Sequence, residues 1–192
     1  MDQIRIIYSK GLQFQGIDLD EMRQNGRFFY IDALDESVSM GKGDLLFSTH
    51  VKITKALNSF SCDEKVLVLD SPDIAIGVQP STAYDALSFI TNLRSAVQST
   101  VITMPSDVST GTESMGSDDL RTSHQQLLLT LAHQANLVLS ARVLDTGQAK
   151  DVSGVLSITA GGMGEGRQRD QEFLYHVETN RAMRVWQRGA EA

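Results

Sequence analysis

The amino-acid sequence predicts an α/β fold in which helices flank a mostly parallel sheet and antiparallel hairpins close the chain. Two observations lead to this prediction. Up to residue 144, short aliphatic runs alternate with amphipathic helical segments, an order typical of parallel strands joined by helices. Beyond that point, strand-like runs follow one another with only turns or glycine-rich bends between them, which indicates antiparallel pairing.

Strands are predicted where aliphatic and β-branched residues cluster in short runs. These runs cover residues 4–9, 28–34, 65–70, 100–104 and 137–144. The run at 28–34 is almost wholly apolar, which favours a strand covered on both faces of a sheet, and the run at 65–70 indicates a buried strand. Pro72 follows the second of them and lacks the amide hydrogen that a continuing ladder requires.

Helices are predicted where apolar residues recur at spacings of three and four. The segments are 17–25, ending at Gly26, then 45–60, 82–98, and a last one that runs to about residue 136. Ser81 or Thr82 is expected to cap the third helix, and Asp118 or Asp119 the fourth. Residues 105–119 are polar and aperiodic, which predicts a mobile surface loop, with an ordered contact loop as the alternative.

The last third of the chain contains the closing hairpins. Residues 144–162 predict a strand, a tight polar turn and a returning strand. Two more strands are expected at 172–177 and 182–188, joined by a turn at 178–181. The glycine-rich stretch 161–166 is interpreted as a bend between strands, because a dinucleotide-binding fingerprint must open a helix and a strand follows here.

Length and composition limit the classes of protein to which this chain can belong. The 192 residues, 41% of them hydrophobic, suffice for one packed domain, so residues 1–192 are predicted to form a single domain. A net charge of -7 argues against an overall basic surface for nucleic acid, although it leaves room for a local basic patch. The single Cys62 cannot form an internal disulfide, and no apolar run approaches the roughly 20 residues of a membrane span. We expect a soluble protein of a reducing, intracellular compartment.

Motifs for nucleotide, metal and nucleophilic chemistry are missing or incomplete. Gly41-Lys42 is the only Gly-Lys pair, but Glu36 stands where a phosphate loop needs its first glycine. Asp70 ends an aliphatic run like the carboxylate that organises magnesium in nucleotide hydrolases, yet it is equally a polar residue at the end of a strand. The four histidines have no metal-ligand spacing, and Cys62 has an acidic setting. The sequence predicts no cofactor, no metal and no catalytic residue.

Two groups of residues remain as candidate contacts. Lys150 and Asp151 suggest catalysis when considered alone, but Asp151 begins a stretch with equally good turn chemistry. Basic residues are concentrated near the end of the chain, interleaved with Tyr175 and Trp186; they are Arg167, Arg169, Arg181, Arg184 and Arg188. This pattern fits either a solvated strand face with cross-strand ion pairs or a surface for RNA or a protein partner.

The order TG-x-AKD-V-x-G-x-L, then GG, then EFLY-x-V and RVW-x-R resembles the C-terminal signature of the sixth subunit of the Elongator complex. The similarity extends to Gly16-Ile17-Asp18-Leu19, to Gly26-Arg27-Phe28 and to the VLVLD-SPD strand end. It implies a RecA-like domain without the usual nucleotide-binding motifs. Members of that family carry a further N-terminal segment with the first core strand, whereas this sequence begins at about the second strand. We expect a shortened gene model or a divergent isoform.

The resemblance also implies a function. The sixth subunit joins the fourth and fifth Elongator subunits in a ring with two copies of each, and the ring docks on the catalytic lobes. Elongator installs carboxymethyl-type modifications on the wobble uridine of certain tRNAs, and the ring assists tRNA binding and release. The chain is therefore expected to be a non-catalytic accessory subunit of the cytoplasm and the nucleus. Lys150, Asp151, Arg167, Arg169 and Arg184 are its candidate partner or tRNA contacts. An active RecA-like ATPase that uses Asp70 is the alternative.

Overall fold

The computed structural model is of mixed α/β architecture. It describes residues 18–34, 45–62, 64–78, 81–106, 117–144, 151–164, 170–178 and 183–187. Contacts divide the chain into two compact units, Met22–Leu131 on the one hand and Met1–Glu21 with Ala132–Ala192 on the other. The first contains a parallel pair of strands and the second a four-stranded antiparallel sheet. The strand expected at 4–9 lies outside the described residues, and a RecA-like single domain stays a prediction.

The first helix, α1 (Leu19–Gln24), is capped at its start by Asp18 and followed by the predicted Gly26. The Asp18 carboxylate accepts hydrogen bonds from two backbone amides of the first turn, at 2.9 and 3.1 Å. Gly26 adopts φ 65°, a left-handed conformation that ends a helix without steric cost for glycine. The short helix expected at 17–25 is confirmed.

The unit Met22–Leu131 is built from helices packed on the parallel pair. Its further elements are α2 (Leu45–Ser59), β1 (Val66–Asp70), α3 (Ile74–Val78), α4 (Ala83–Arg94), β2 (Ser99–Thr103) and α5 (Ser117–Gln134). Helix α2 buries Leu45, Thr49, Ile53 and Leu57, a stripe at a constant spacing of four. Ile90 and Leu93 of α4 are almost completely buried and lie in the same hydrophobic core. The helices expected at 45–60 and 82–98 are confirmed, and only α3 has no counterpart among the predictions.

The parallel pair leaves one of its faces exposed. Strands β1 and β2 are in register from Val66 opposite Ser99 to Asp70 opposite Thr103. Leu67 and Leu69 belong to the core, whereas Val66 and Val68 are 66% and 62% exposed. The strand expected at 65–70 is confirmed, but it is half-buried instead of buried, because burial alternates along β1.

The segment 28–34 contains no strand, contrary to prediction. A strand needs a ladder partner, and none of the described strands pairs with this segment. Phe29 instead packs edge-to-face against Phe60, with ring centroids 4.9 Å apart, and Ile31 packs against the core. Some apolar side chains of this segment thus pack against other parts of the unit although the segment forms no strand. Tyr30 is 49% exposed.

Helix α5 begins earlier than predicted. It spans Ser117–Gln134, so Asp118 and Asp119 lie within its first turn and not before it as predicted. Leu127 and Leu131 are buried, but Leu120, expected on the same face, is 48% exposed. Most of the loop predicted at 105–119, residues 107–116, lies outside the described residues. None of the helices in the described ranges is long and apolar enough to cross a membrane.

The second unit contains a sheet in the order β3-β4-β5-β6, with every neighbouring pair antiparallel. Its strands are β3 (Leu137–Arg142), β4 (Gly154–Ala160), β5 (Gln171–Val177) and β6 (Met183–Gln187). The closing antiparallel hairpins are thus confirmed. The mostly parallel sheet is not: among the described strands only β1 and β2 pair in parallel, and β3 pairs with its successor β4 instead of extending that pair.

Candidate functional site

One face of the four-stranded sheet carries no charged side chain. Side chains alternate along each strand, and the register determines which of them share a face. We call this surface the charge-free face; it consists of Leu137, Leu139 and Ala141, of Gly154, Leu156, Ile158 and Ala160, of Gln171, Phe173, Tyr175 and Val177, and of Met183, Val185 and Gln187.

Large apolar side chains of the charge-free face are open to solvent. Leu139 is 59% exposed and Met183 57%, and Leu137, Val177 and Val185 are each close to 45% exposed. An antiparallel sheet ordinarily packs its apolar face on a core and leaves the polar face in water. The exposed apolar residues form two groups, one on β3 and one on the adjacent strands β5 and β6, and the half-buried residues of β4 lie between them. Exposed apolar groups on one sheet face mark a candidate interaction surface.

The opposite face of the sheet, termed the charged face, holds the ionisable side chains of these strands: Arg142, Glu172, His176 and Arg184. Arg142 Nη2 lies 3.6 Å from Glu172 Oε1, and the Ser157 hydroxyl donates to the same oxygen at 3.5 Å. Cross-strand pairs of this kind neutralise each other locally. The ion pairs match the sequence-based interpretation, but the face is solvated only in part, because Val155 on the same face is 3% exposed.

Arg184, one of the candidate tRNA contacts, lies on the charged face and is already paired. Its Nε lies 2.6 Å from Glu178 Oε1, and its side chain is 75% exposed. Trp186 shares the face with it, whereas Tyr175 belongs to the charge-free face. The two aromatic residues therefore do not form one stacking platform with Arg184. Arg167 and Arg169 lie outside the described residues.

The turn before β4 is shaped by backbone contacts. Lys150 lies outside the described residues, and Asp151 is exposed. Two residues further on, Ser153 binds β5 twice: its amide donates to the Tyr175 carbonyl at 2.8 Å, and its hydroxyl accepts from the Val177 amide at 2.9 Å. These contacts give the D-V-S-G stretch a structural role. Of the other candidate residues only Arg184 belongs to the part of the chain that the structure describes, and it lies on β6.

Position 154 needs a glycine because neighbouring atoms leave no room for a side chain. It stands opposite Tyr175, and a Cβ at this position would meet the Arg142 carbonyl oxygen and lie 2.7 Å from the Tyr175 hydroxyl. Tyr175 therefore covers the space beside a strand glycine, an arrangement that compensates for the missing side chain.

The glycine-rich stretch after β4 wraps the C-terminal end of α5. The amide of Gly161 donates to the Asn136 carbonyl at 3.1 Å, and the amides of Gly162 and Met163 donate to the carbonyls of Ala132 and Ala135. Ala132 lies in the last turn of α5, and Ala135 and Asn136 follow the helix directly, so the stretch is hydrogen-bonded to the end of the helix and to the residues just beyond it. A helix C-terminus carries partial negative charge and repels phosphate, so the geometry agrees with the prediction that the stretch is not a dinucleotide fingerprint.

Asp70 and Thr103 meet at the carboxyl ends of β1 and β2. They are register partners, and the Thr103 hydroxyl donates to Asp70 Oδ1. The next residue, Ser71, adopts φ 50°, and its amide donates to the Thr103 carbonyl at 2.9 Å. This edge of a parallel sheet is where α/β proteins bind ligands. The hydrogen bond from Thr103 gives Asp70 a role in holding the two strand ends together.

Asp73 and His124 form a pair that sequence analysis missed. His124 Nε2 lies 3.3 Å from Asp73 Oδ2, and the side chains are 14% and 12% exposed, respectively. The pair joins α5 to the turn after β1. His124 shares a helix face with Leu127 and Leu131, both buried, and that spacing was the available signal. A histidine oriented by a carboxylate resembles part of a nucleophilic triad, but His124 Nδ1 has no hydrogen-bond partner among the described residues.

The described part of the chain contains no group of three or more His, Cys, Asp or Glu side chains that could hold a metal ion. Its clearest candidate site is therefore a surface, the charge-free face, with the Asp73–His124 pair as a secondary feature. Comparison of the sequence with protein-family models and with curated proteins finds no match.

Proposed function

We propose that this chain is a non-catalytic accessory subunit of the Elongator complex. In this proposal it joins the fourth and fifth subunits in their ring, and the ring assists the binding and release of tRNA during carboxymethyl-type modification of the wobble uridine. The radical chemistry belongs to another subunit. In this proposal the chain is located in the cytoplasm and also in the nucleus, as part of the complex.

The observation that carries the proposal is the exposure of apolar strand residues in both units. On the parallel pair Val66, Val68 and Val101 are between 49% and 66% exposed, and the charge-free face adds a larger patch. Apolar strand faces that remain open within one chain are typical of surfaces that a partner covers in an assembly. The C-terminal signature in the sequence supplies the identity of the assembly.

The experiment is affinity capture of the tagged full-length chain from its own cells, followed by mass spectrometry. We expect the fourth and fifth Elongator subunits to be captured in amounts comparable to the chain. Disruption of the gene is expected to reduce carboxymethyl-type modification of wobble uridine, measured by mass spectrometry of digested tRNA. Normal modification together with capture of neither subunit would overturn the proposal.

An active ATPase is the second candidate, because Asp70 occupies the carboxyl end of a parallel strand next to Thr103. Titration calorimetry with ATP and magnesium separates the two functions. We expect no binding heat for the isolated chain, since a nucleotide site of this class needs a phosphate loop that its sequence lacks. Binding that disappears in Asp70→Asn would favour the ATPase.

A further inference from the structure

We draw no further inference here: the strongest candidate, the Asp73–His124 pair between the turn after β1 and α5, leaves Asp73 Oδ1 and His124 Nδ1 buried without a hydrogen-bond partner, but nothing among the described residues shows which ligand these two atoms would bind.

Discussion

At the scale of single residues, glycine positions depend on contacts that a local sequence does not reveal. A Cβ on Gly161 would meet the Ala135 carbonyl oxygen and lie 3.0 Å from the Ala132 carbonyl oxygen. We expect Gly161→Ala to lower the free energy of unfolding by about 1–3 kcal/mol, measured by urea denaturation, because helix end and strand end must separate to accept the methyl group.

Gly77 in α3 is the matched control for this substitution, because a Cβ there would meet nothing within 4 Å. Gly77→Ala should be neutral or stabilise by up to about 1 kcal/mol through helix propensity. Equal effects of the two substitutions would show that Gly161 has no special packing role.

A second prediction at this scale concerns the capping box of α4. The Thr82 amide and hydroxyl both donate to the Asp85 carboxylate, at 2.8 and 2.7 Å, and the Asp85 amide donates back to the Thr82 hydroxyl. The hydrogen bond from the Thr82 backbone, followed by that from its side chain, lowers the pKa of Asp85 below 3.8. This contribution to stability is therefore present above pH 3.8 and is lost as the pH falls through the lowered pKa.

We expect wild type to unfold at a higher temperature than Asp85→Asn near pH 7, and the difference should vanish in strong acid, as followed by circular dichroism. Thr82→Ala should lower the stability by about 1 kcal/mol. A difference between wild type and Asp85→Asn that persists unchanged to the acid limit would contradict this account.

At the scale of elements, the Asp73–His124 pair determines how firmly α5 is attached to the turn after β1. His124→Ala leaves the mostly buried Asp73 carboxylate without its side-chain partner, and loss of a hydrogen bond to a charged group costs about 1.5–3 kcal/mol. We expect a loss near the lower end of that range, because both side chains retain some exposure. Denaturant unfolding measures it.

The double variant Asp73→Ala/His124→Ala should lose less stability than the two single variants together, since it leaves no orphaned charge. His133→Ala is the control on the same helix, because the His133 side chain is exposed. Strictly additive single losses would mean that the two side chains do not interact.

At the scale of the whole molecule, the two faces of the antiparallel sheet differ in charge. Arg184 is paired with Glu178 and lies on the charged face with Glu172. We therefore expect Arg184→Glu to change the tRNA affinity of the assembled ring less than about twofold, measured by fluorescence anisotropy at physiological salt. The double reversal Arg167→Glu/Arg169→Glu is the comparison. A tenfold loss from Arg184→Glu would assign Arg184 to a tRNA contact.

The elements were more predictable than the site. Local spacing predicted α2, α4, β1 and the last two strands to within a few residues, because apolar periodicity and capping residues act within one or two turns. Local spacing gave a wrong prediction for the apolar segment 28–34, because a strand also requires a partner strand. Phe29 of this segment packs on Phe60 instead. The sequence indicated no partner for His124, because Asp73 is distant from it in the chain and comes close only in the fold.

The sequence by itself determined the alternation of helices and strands, the end of α1 at Gly26 and the absence of a phosphate loop, because each of these depends on neighbouring residues. Only the tertiary structure decided which strands pair, and so which side chains form the charge-free face. It also decided that the amides of residues 161–163 bind carbonyls at and just beyond the C-terminal end of α5. The physical reason is that strand register and helix-end contacts are made between residues distant in the chain, and their stabilisation arises only when those residues meet.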